Sequence, residues 1–201
     1  MKKILKKISQ KLSTKRVGDL IIGRNVKFEN KGKISSGRSY LGAIDNLTVK
    51  IIARRKEKSS FINLGEFSLG NNVRIHKNFG IYIGEEAKFS MGNNSYINPE
   101  VTIFCKKEIS IGSNCVISWR CQFLDDDLHS IIAEGKRINP PLPIIVGNHV
   151  WIGADVKLLP GALIEDGVIV AAGSIVKGKL DAYCLYGGVP ARKIKEQIEW
   201  E

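Results

Sequence analysis

Three acidic residues and a histidine are gathered within residues 123–131, in the segment F-L-D-D-D-L-H-S-I. Asp125, Asp127 and His129 stand two residues apart, so on an extended segment their side chains would share one side. A carboxylate beside an imidazole can fix its tautomer and stabilise its protonated form, as general-base catalysis requires. Asp126 is out of phase with this set, and we expect it to face solvent. Taken alone, the segment is more typical of a solvated acidic turn.

Short aliphatic segments with a six-residue period flank this segment and must position it. The period is clearest over residues 146–175, where five consecutive hexads read V-G-N-H-V-W, I-G-A-D-V-K, L-L-P-G-A-L, I-E-D-G-V-I and V-A-A-G-S-I. Each hexad begins with an aliphatic residue and has Val, Ala or Ser at its fifth position. Less regular matches, separated by small insertions, begin at Leu69, Met91, Ile97, Ile111 and Ile117.

A repeat that returns one large aliphatic and one small residue to equivalent places every six residues is typical of a coiled strand whose turns stack. The aliphatic residues would fill the interior, and the small residues would let the backbone bend at corners. Gly and Asn at neighbouring positions tolerate the unusual dihedrals of such corners. The repeat therefore predicts a parallel β-helix. Cys115 and Cys121, both at fifth positions, are predicted to be small core residues without chemistry.

The sharpest motif is V-G-N-H-V-W-I-G-A-D-V-K-L-L-P-G-A at residues 146–162, followed by A-A-G-S-I-V-K and by G-G-V-P-A-R at 187–192. This combination resembles the hexapeptide-repeat acyltransferases, and the resemblance covers residues 17–193. It implies a mainly β fold, a left-handed parallel β-helix of hexapeptide repeats, that assembles as a homotrimer. Within the family, residues 117–131 resemble the branch that O-acetylates sugars of surface polysaccharides, whose active-site segment follows D-x-D-x-H.

The resemblance also implies a mechanism. In the family, a histidine takes the proton from an acceptor hydroxyl or amine, which attacks the thioester of acetyl-CoA directly and without an acyl-enzyme. His129 matches that histidine, and Asp127 or Asp125 would orient its imidazole. The tetrahedral oxyanion would accept a hydrogen bond from the backbone N–H of Gly153 or Ala154.

Acetyl-CoA, the expected acyl donor, is long and anionic, so its site should combine a narrow apolar slot with basic groups. By resemblance, small residues line the slot between neighbouring coils and basic residues meet the nucleotide end: Gly153, Ala154, Ala171 and Ala172 for the slot, and Lys177, Arg192 and Lys193 for the nucleotide. Trp119, Arg120 and Trp151 are candidates to bind the acceptor, with Arg120 steering a negatively charged sugar. For each of these residues the alternative is corner geometry, packing or a solvated surface.

Basic residues are concentrated at the start of the chain, where residues 1–58 contain 17 Lys or Arg against 4 Asp or Glu. Apolar residues recur with helical spacing among the first lysines, which predicts a basic amphipathic helix over residues 1–16. This helix could lie on an anionic membrane surface, meet a polyanion, or pack on its own domain. No nucleic-acid motif accompanies it, so we expect no nucleic-acid partner.

The rest of the chain divides simply. We predict a β-helix domain over residues 17–184, interrupted by a proline-rich loop at 132–145 that helps to hold the acceptor. A C-terminal tail with a short helix would follow over 185–201, because Pro190 suits a first helical turn and Ile194 and Ile198 stand four apart.

Cysteine spacing and hydropathy bear on the compartment. The four cysteines contain no C-x-x-C pair, which indicates neither a zinc site nor a disulfide framework. No apolar stretch has the length of a bilayer crossing, and no apolar region follows the first lysines as an export signal requires. We therefore expect a cytoplasmic protein, or one at the inner face of the membrane.

Three other functions stay open from the sequence. The first is N-acetylation of an amino sugar or an antibiotic, and the second is a non-catalytic β-helix scaffold. The third is a zinc carbonic anhydrase, because the same fold hosts enzymes that gather three histidines at a subunit interface. His76, His129 and His149 lack the close-spaced pair expected of that site, so we predict no metal. The leading prediction is transfer of an acetyl group to a saccharide, at sites between the subunits of a trimer.

Overall fold

A computed structural model describes residues 15–23, 26–43 and 59–201 of the chain. These residues form strands and turns, and no helix occurs among them. Most of the basic helix predicted over residues 1–16 lies outside the described residues, and Lys15 and Arg16 begin a strand instead. No helix that is long and apolar enough to cross a membrane is found in the described part of the chain.

Twenty-six short strands follow one another in the described ranges of the chain. The first thirteen are β1 Lys15–Val17, β2 Leu20–Ile22, β3 Val26–Asn30, β4 Lys33–Ser36, β5 Ser39–Ala43, β6 Ser59–Asn63, β7 Glu66–Leu69, β8 Arg74–His76, β9 Gly80–Ile83, β10 Lys88–Met91, β11 Tyr96–Ile97, β12 Thr102–Cys105 and β13 Glu108–Ile111. The others are β14 Val116–Ile117, β15 Gln122–Leu124, β16 Ile132–Ala133, β17 Lys136–Arg137, β18 Ile144–Val146, β19 Trp151–Ile152, β20 Lys157–Leu158, β21 Leu163–Ile164, β22 Ile169–Val170, β23 Ile175–Val176, β24 Lys179–Leu180, β25 Cys184–Gly187 and β26 Arg192–Glu196.

Consecutive strands enter three sheets in rotation, and each pairs with the equivalent strand of the next turn. Sheet A has the order β1-β2-β5-β8-β11-β14-β19-β22-β25-β26, sheet B has β23-β20-β15-β12-β9-β6-β3, and sheet C has β24-β21-β18-β13-β10-β7-β4. The pairing between turns is parallel throughout, from β2 with β5 to β22 with β25. We number the coils one to eight by their parallel strand in sheet A, from β2 to β25. This arrangement confirms the predicted parallel β-helix.

The hexads fill the interior as the six-residue period predicts. Their first residues are at most 2% exposed: Val146, Ile152, Leu158, Ile164 and Val170. Their fifth residues are fully buried: Val150, Val156, Ala162, Val168 and Ser174. The Cys115 and Cys121 thiols are also fully buried and donate to the carbonyl oxygens of Gly147 and Gly153, each at 3.1 Å. Burial raises the pKa of the Cys121 thiol to about 12, so it stays protonated and inert as a nucleophile.

The Gly-Asn pairs of the repeat form a ladder at the corner between sheets C and A. A side-chain oxygen of one coil accepts a hydrogen bond from the backbone N–H of the coil before it, along the series Asn71, Asn93, Ser113, Asn148 and Asp166 at 2.6 to 3.0 Å. A Cβ on Gly70 would lie 2.5 Å from the Asn93 Oδ1 atom, so a side chain there would break this contact. The ladder gives the Gly-Asn signature a structural role.

The predicted C-terminal helix is wrong, because Arg192–Glu196 forms strand β26 and pairs antiparallel with β25. The exposed edge of β25 offers backbone partners, whereas an isolated helix this short would be marginal in water. Beyond β26 the tail returns across the outer surface. The Trp200 ring stacks on His149 with 4.3 Å between centroids, and its Nε1 donates to the His149 carbonyl oxygen at 2.9 Å.

Candidate active site

A loop of residues 125–143 leaves the β-helix in coil five, at the corner where sheet B passes into sheet C. Strands β16 and β17 form a small antiparallel hairpin within it. The loop starts before the predicted range of 132–145 and ends sooner, because Ile144 and Ile145 pair with β13 in sheet C. The acidic segment and His129 therefore belong to the loop.

Asp125 secures the base of the loop. Its carboxylate is fully buried and accepts hydrogen bonds from the backbone N–H groups of Lys106, Lys107 and Glu108 at 2.7 to 2.8 Å. Burial raises the pKa of the Asp125 carboxyl above its ordinary value, while the three N–H donors oppose that shift. Both oxygens face the turn before β13, so the prediction that Asp125 orients the His129 imidazole is wrong.

Asp126 is buried rather than solvent-facing, which corrects the sequence prediction. Its side chain forms an ion pair with Arg137, with 2.9 Å between Oδ1 and the guanidinium NH2. The Arg137 Nε also donates to the carbonyl oxygen of Asn139 at 3.1 Å. The ion pair therefore fastens the returning arm of the loop to its outgoing arm.

Asn139 holds the segment that carries His129. Its Nδ2 donates to the His129 carbonyl oxygen at 2.8 Å and to Oδ2 of Asp127 at 3.0 Å. Its Oδ1 accepts the Ile131 N–H at 2.7 Å. The exposed His129 imidazole itself makes no hydrogen bond or ion pair with Asp127 or any other described residue. Orientation of His129 by Asp127 thus stays a prediction.

Sequence reasoning missed Asn139, although one signal pointed to it. It precedes two prolines, and Asn-Pro marks a turn. The motif locates the turn but says nothing of what the amide binds, because its partners lie eight to twelve residues back along the chain.

The outer surface of the loop is unusually apolar. Five large aliphatic side chains are between 40% and 60% exposed: Leu128, Ile131, Ile132, Ile138 and Leu142. Large apolar side chains exposed together on one loop indicate an interaction site. The loop therefore has the character of a contact surface.

The predicted donor residues lie at a different corner, where sheet A passes into sheet B. Gly153 and Ala154 are in coil six, and Ala171 and Ala172 stack on them in coil seven. A Cβ on Gly153 would lie 2.6 Å from the Ala172 backbone nitrogen, so glycine permits this close stacking. The Gly153 N–H donates to the Val170 carbonyl oxygen at 2.8 Å. It is therefore unavailable to an oxyanion, whereas the Ala154 N–H has no partner among the described residues.

The three basic residues that we predict to bind the nucleotide differ in their ion pairing. Lys177 and Arg192 are exposed. Lys193 is held by acids, with its Nζ 2.9 Å from an Asp181 oxygen and 3.0 Å from a Glu196 oxygen, and these partners raise its pKa. Lys177 and Arg192 are thus the better placed of the three to meet a phosphate.

The acceptor candidates are also near this corner. Arg120 donates twice to Asp155, with both hydrogen bonds at 2.7 Å, and this pairing lowers the Asp155 pKa. Its charge is therefore neutralised, which weakens the predicted steering of an anionic sugar. Trp119 is half-buried in the same turn. Trp151 is 41% exposed, and its Nε1 donates to the Ser118 hydroxyl at 3.4 Å.

An open groove of about 770 Å³ runs along this corner and the adjoining edge of sheet B. Its walls come from coils three to eight, with Asn78 at one end and Val189 at the other. The volume is in the range of ligand sites. The donor corner adjoins its C-terminal end, where Asp155 and Gly173 line it.

The histidines do not converge within one chain. His76 is buried in β8, His149 is stacked on Trp200, and His129 is in the loop. No group of three or more His, Cys, Asp or Glu is placed to hold a metal ion among the described residues.

Comparison with known proteins places the chain in a family. The model of the bacterial transferase hexapeptide family, a unit of six repeats, matches residues 143–178. The chain is 34% identical over 179 residues to an uncharacterized 24.8 kDa protein in the cps region of Klebsiella pneumoniae, covering 89% of this chain and 76% of the relative.

Two further similarities concern acyl transfer. WcaF of Escherichia coli strain K12, assigned as a colanic acid biosynthesis acetyltransferase, is 32% identical over 133 residues, which cover 66% of this chain and 71% of WcaF. The crystal structure of AntD, an N-acyltransferase from Bacillus cereus in complex with dTDP and 3-hydroxybutyryl-CoA, matches with a TM-score of 0.58 at 25% identity, covering 98% of this chain and 88% of AntD. Together with the stacked hexads, these matches show that the chain belongs to the hexapeptide-repeat acyltransferase family.

Proposed function

We propose that the protein is an acetyl-CoA-dependent O-acetyltransferase that acts on a saccharide of a surface polysaccharide or its precursor. The acceptor class is supported by the D-x-D-x-H segment and by the similarity to the colanic acid acetyltransferase WcaF. We further propose that it works as a homotrimer, in which His129 of one subunit faces the donor corner of the next.

One observation supports both the proposed trimer and the proposed site. The loop that carries His129 starts in coil five, and the donor residues lie at a different corner of the β-helix at nearly the same height, in coils six and seven. Coils are about 4.8 Å apart, so the difference in height is at most about 10 Å. A threefold rotation about an axis parallel to the β-helix preserves height and would carry the loop of one subunit to the donor corner of its neighbour. The apolar side chains of the loop would be buried in that contact.

The residues then have separate roles. The His129 imidazole accepts the proton of the acceptor hydroxyl as its oxygen attacks the thioester carbonyl. The Ala154 N–H stabilises the oxyanion of the tetrahedral intermediate. When the carbon–sulfur bond breaks, the imidazolium returns the proton to the departing sulfur, which leaves as the CoA thiol. The small residues Ala171 and Ala172 leave room for the pantetheine arm of CoA. Lys177 and Arg192 bind the phosphates at the nucleotide end of CoA.

The direct test is the rate of thiol release from acetyl-CoA in the presence of a saccharide panel. Loss of the general base should slow the His129→Ala variant by about 10² to 10⁴. The matched control is His149→Ala, which removes a histidine outside the proposed site. Equal rates for wild type and His129→Ala would show that the base is misassigned.

Subunit sharing has its own test, in which two inactive variants are mixed. His129→Ala keeps the donor corner, and Ala172→Trp keeps His129 but fills the donor slot. Random co-assembly should restore about a quarter of the wild-type rate, because one interface in four then pairs an intact loop with an intact corner. No recovery in verified mixed trimers would place the base and the donor in one subunit.

N-acylation of a nucleotide-linked amino sugar is the second candidate, because the similarity to AntD extends over 98% of the chain. A dTDP-linked amino sugar in the same panel distinguishes the two. Mass spectrometry of the product assigns the new acetyl group to nitrogen or to oxygen.

A further inference from the structure

Asn78 is a buried polar residue whose side chain has no partner. It is 8% exposed and lines the N-terminal end of the groove. Neither its Oδ1 nor its Nδ2 makes a hydrogen bond, although both atoms are buried. Leaving such a group unsatisfied is costly, so a buried amide of this kind indicates that a ligand completes it.

Corner geometry does not account for the amide. Asn78 has a φ of 61°, and asparagine tolerates this left-handed conformation. The equivalent residues of the next three coils, Glu100, Arg120 and Asp155, have φ values of 60° to 67° without being asparagine. The corner thus accepts several side chains, and only the Asn78 amide is both buried and unpaired among these four.

Two rows of residues build the groove beside Asn78. The corner residues form one row. The first positions of the sheet B strands form the other, in register from coil to coil: Gly80, Thr102, Gln122, Lys157 and Ile175. Asn78 is in coil three and Asp155, at the donor end of the groove, is in coil six. Three coil spacings of about 4.8 Å place the two residues about 14 Å apart. A single sugar at the reaction centre would not reach that far.

The chemistry of the walls indicates what could lie there. The two carboxylates, Glu100 and Asp155, are balanced by Arg120 and Lys157, so the groove has no net formal charge. Thr102 and Gln122 add neutral donors and acceptors. An amide with both functions free pairs with hydroxyl or acetamido groups, which also offer both. The lining therefore suits an uncharged, hydroxyl-rich chain better than a polyanion.

We infer that the N-terminal half of the groove is an extended subsite for an uncharged oligosaccharide acceptor, with Asn78 binding a sugar residue remote from the acetylated one. This rests on the proposed function, because it extends the same acceptor. Direct binding tests it independently of catalysis: isothermal titration with neutral glycans of one to six sugars.

The first variant is Asn78→Gly, since glycine keeps the left-handed turn and removes the side chain that carries the amide. The ratio of kcat/KM for a hexasaccharide to that for a monosaccharide glycoside should fall about three- to tenfold, the value of one or two hydrogen bonds. Its control is Asn94→Gly. Asn94 has a φ of 57° at the corner between sheets C and A, and its variant should keep the wild-type ratio. A rise in the KM for acetyl-CoA instead would assign the groove end to the donor and overturn the inference.

The second variant fills the groove. A Cβ on Gly80 would meet no atom within 4 Å, so Gly80→Tyr projects into the groove without clashing with the coil. It should abolish hexasaccharide binding by titration, while Ser60→Tyr, one coil outside the groove, should not. Unchanged glycan affinity in Gly80→Tyr would refute the subsite. If glycans bind but no acetyl group is transferred, the proposed function fails and the subsite stands.

Discussion

The side-chain amide of Asn139 donates a 2.8 Å hydrogen bond to the backbone carbonyl of His129. The preceding residue, Leu128, has a φ of 66°, an uncommon conformation for a leucine. Asn139 thus holds a turn that would not form by local preference. In the proposed mechanism it is a positioning residue, because it contacts neither substrate nor the imidazole.

Asn139→Ala should lower kcat by about tenfold and leave the KM for acetyl-CoA unchanged, because displacement of a catalytic group by about an ångström is costly. The rate is measured by thiol release at saturating donor. Asn148→Ala removes an amide from the ladder at the corner between sheets C and A. It is the control for general loss of stability. A fall in unfolding midpoint that fully explains the lost activity would count against the positioning role.

The Asp126–Arg137 ion pair should stabilise the loop by about 1 to 2 kcal/mol, a value reduced for the partial exposure of Arg137. We expect Asp126→Asn and Arg137→Met to speed hydrogen exchange in residues 126–139 and to spare sheets A to C. A double-mutant cycle measures the coupling. Strictly additive effects of the two substitutions would show that the pair contributes nothing.

Gly153→Ala should destabilise the β-helix by about 1 to 3 kcal/mol, because the new methyl group meets the Ala172 nitrogen at 2.6 Å. Gly80→Ala is the matched control for stability, since its Cβ has open space. Chemical denaturation of both variants gives the comparison. Equal midpoints would mean that coils six and seven separate without cost.

The Lys193–Asp181 pair predicts an acid-sensitive C-terminal strand. The pair lowers the Asp181 pKa from its ordinary 3.8, so its stabilisation is present above that value and is lost as the pH falls through the lowered pKa. Proteolysis of β26 should therefore accelerate below about pH 4 in the wild type. Asp181→Asn should be cleaved readily at neutral pH and show less of this acceleration. A tail equally resistant in both proteins would contradict the role of the pair.

The sequence predicts the scaffold well because the hexad period expresses packing directly. A residue such as Ile152 recurs at a place that is always interior, and Val156 at a place that is always a tight corner. The pattern therefore carries both the sheet topology and the core. The C-terminal strand was not predictable in this way, because R-K-I-K-E forms a strand only where the edge of β25 receives it.

The contacts of the site residues are harder to predict from the sequence, for a related reason. Asp125, Asp126 and Asp127 are chemically identical in the sequence, yet one accepts three backbone N–H groups, one pairs with Arg137 and one meets Asn139. Alternation along an extended strand would have grouped Asp125 with Asp127, but the chain turns there. The contacts of each aspartate depend on a partner that is distant in sequence, and the hexad period does not encode such partners.

The loop interrupts the chain between β15 and β18 but not the stack, because β18 pairs in register with β13 below it and with β21 above it. Insertion at a corner leaves every rung intact. The scaffold and the reactive segment can therefore vary separately: a gene that exchanges this one insert by recombination keeps the stacked core and changes the residues around the proposed base.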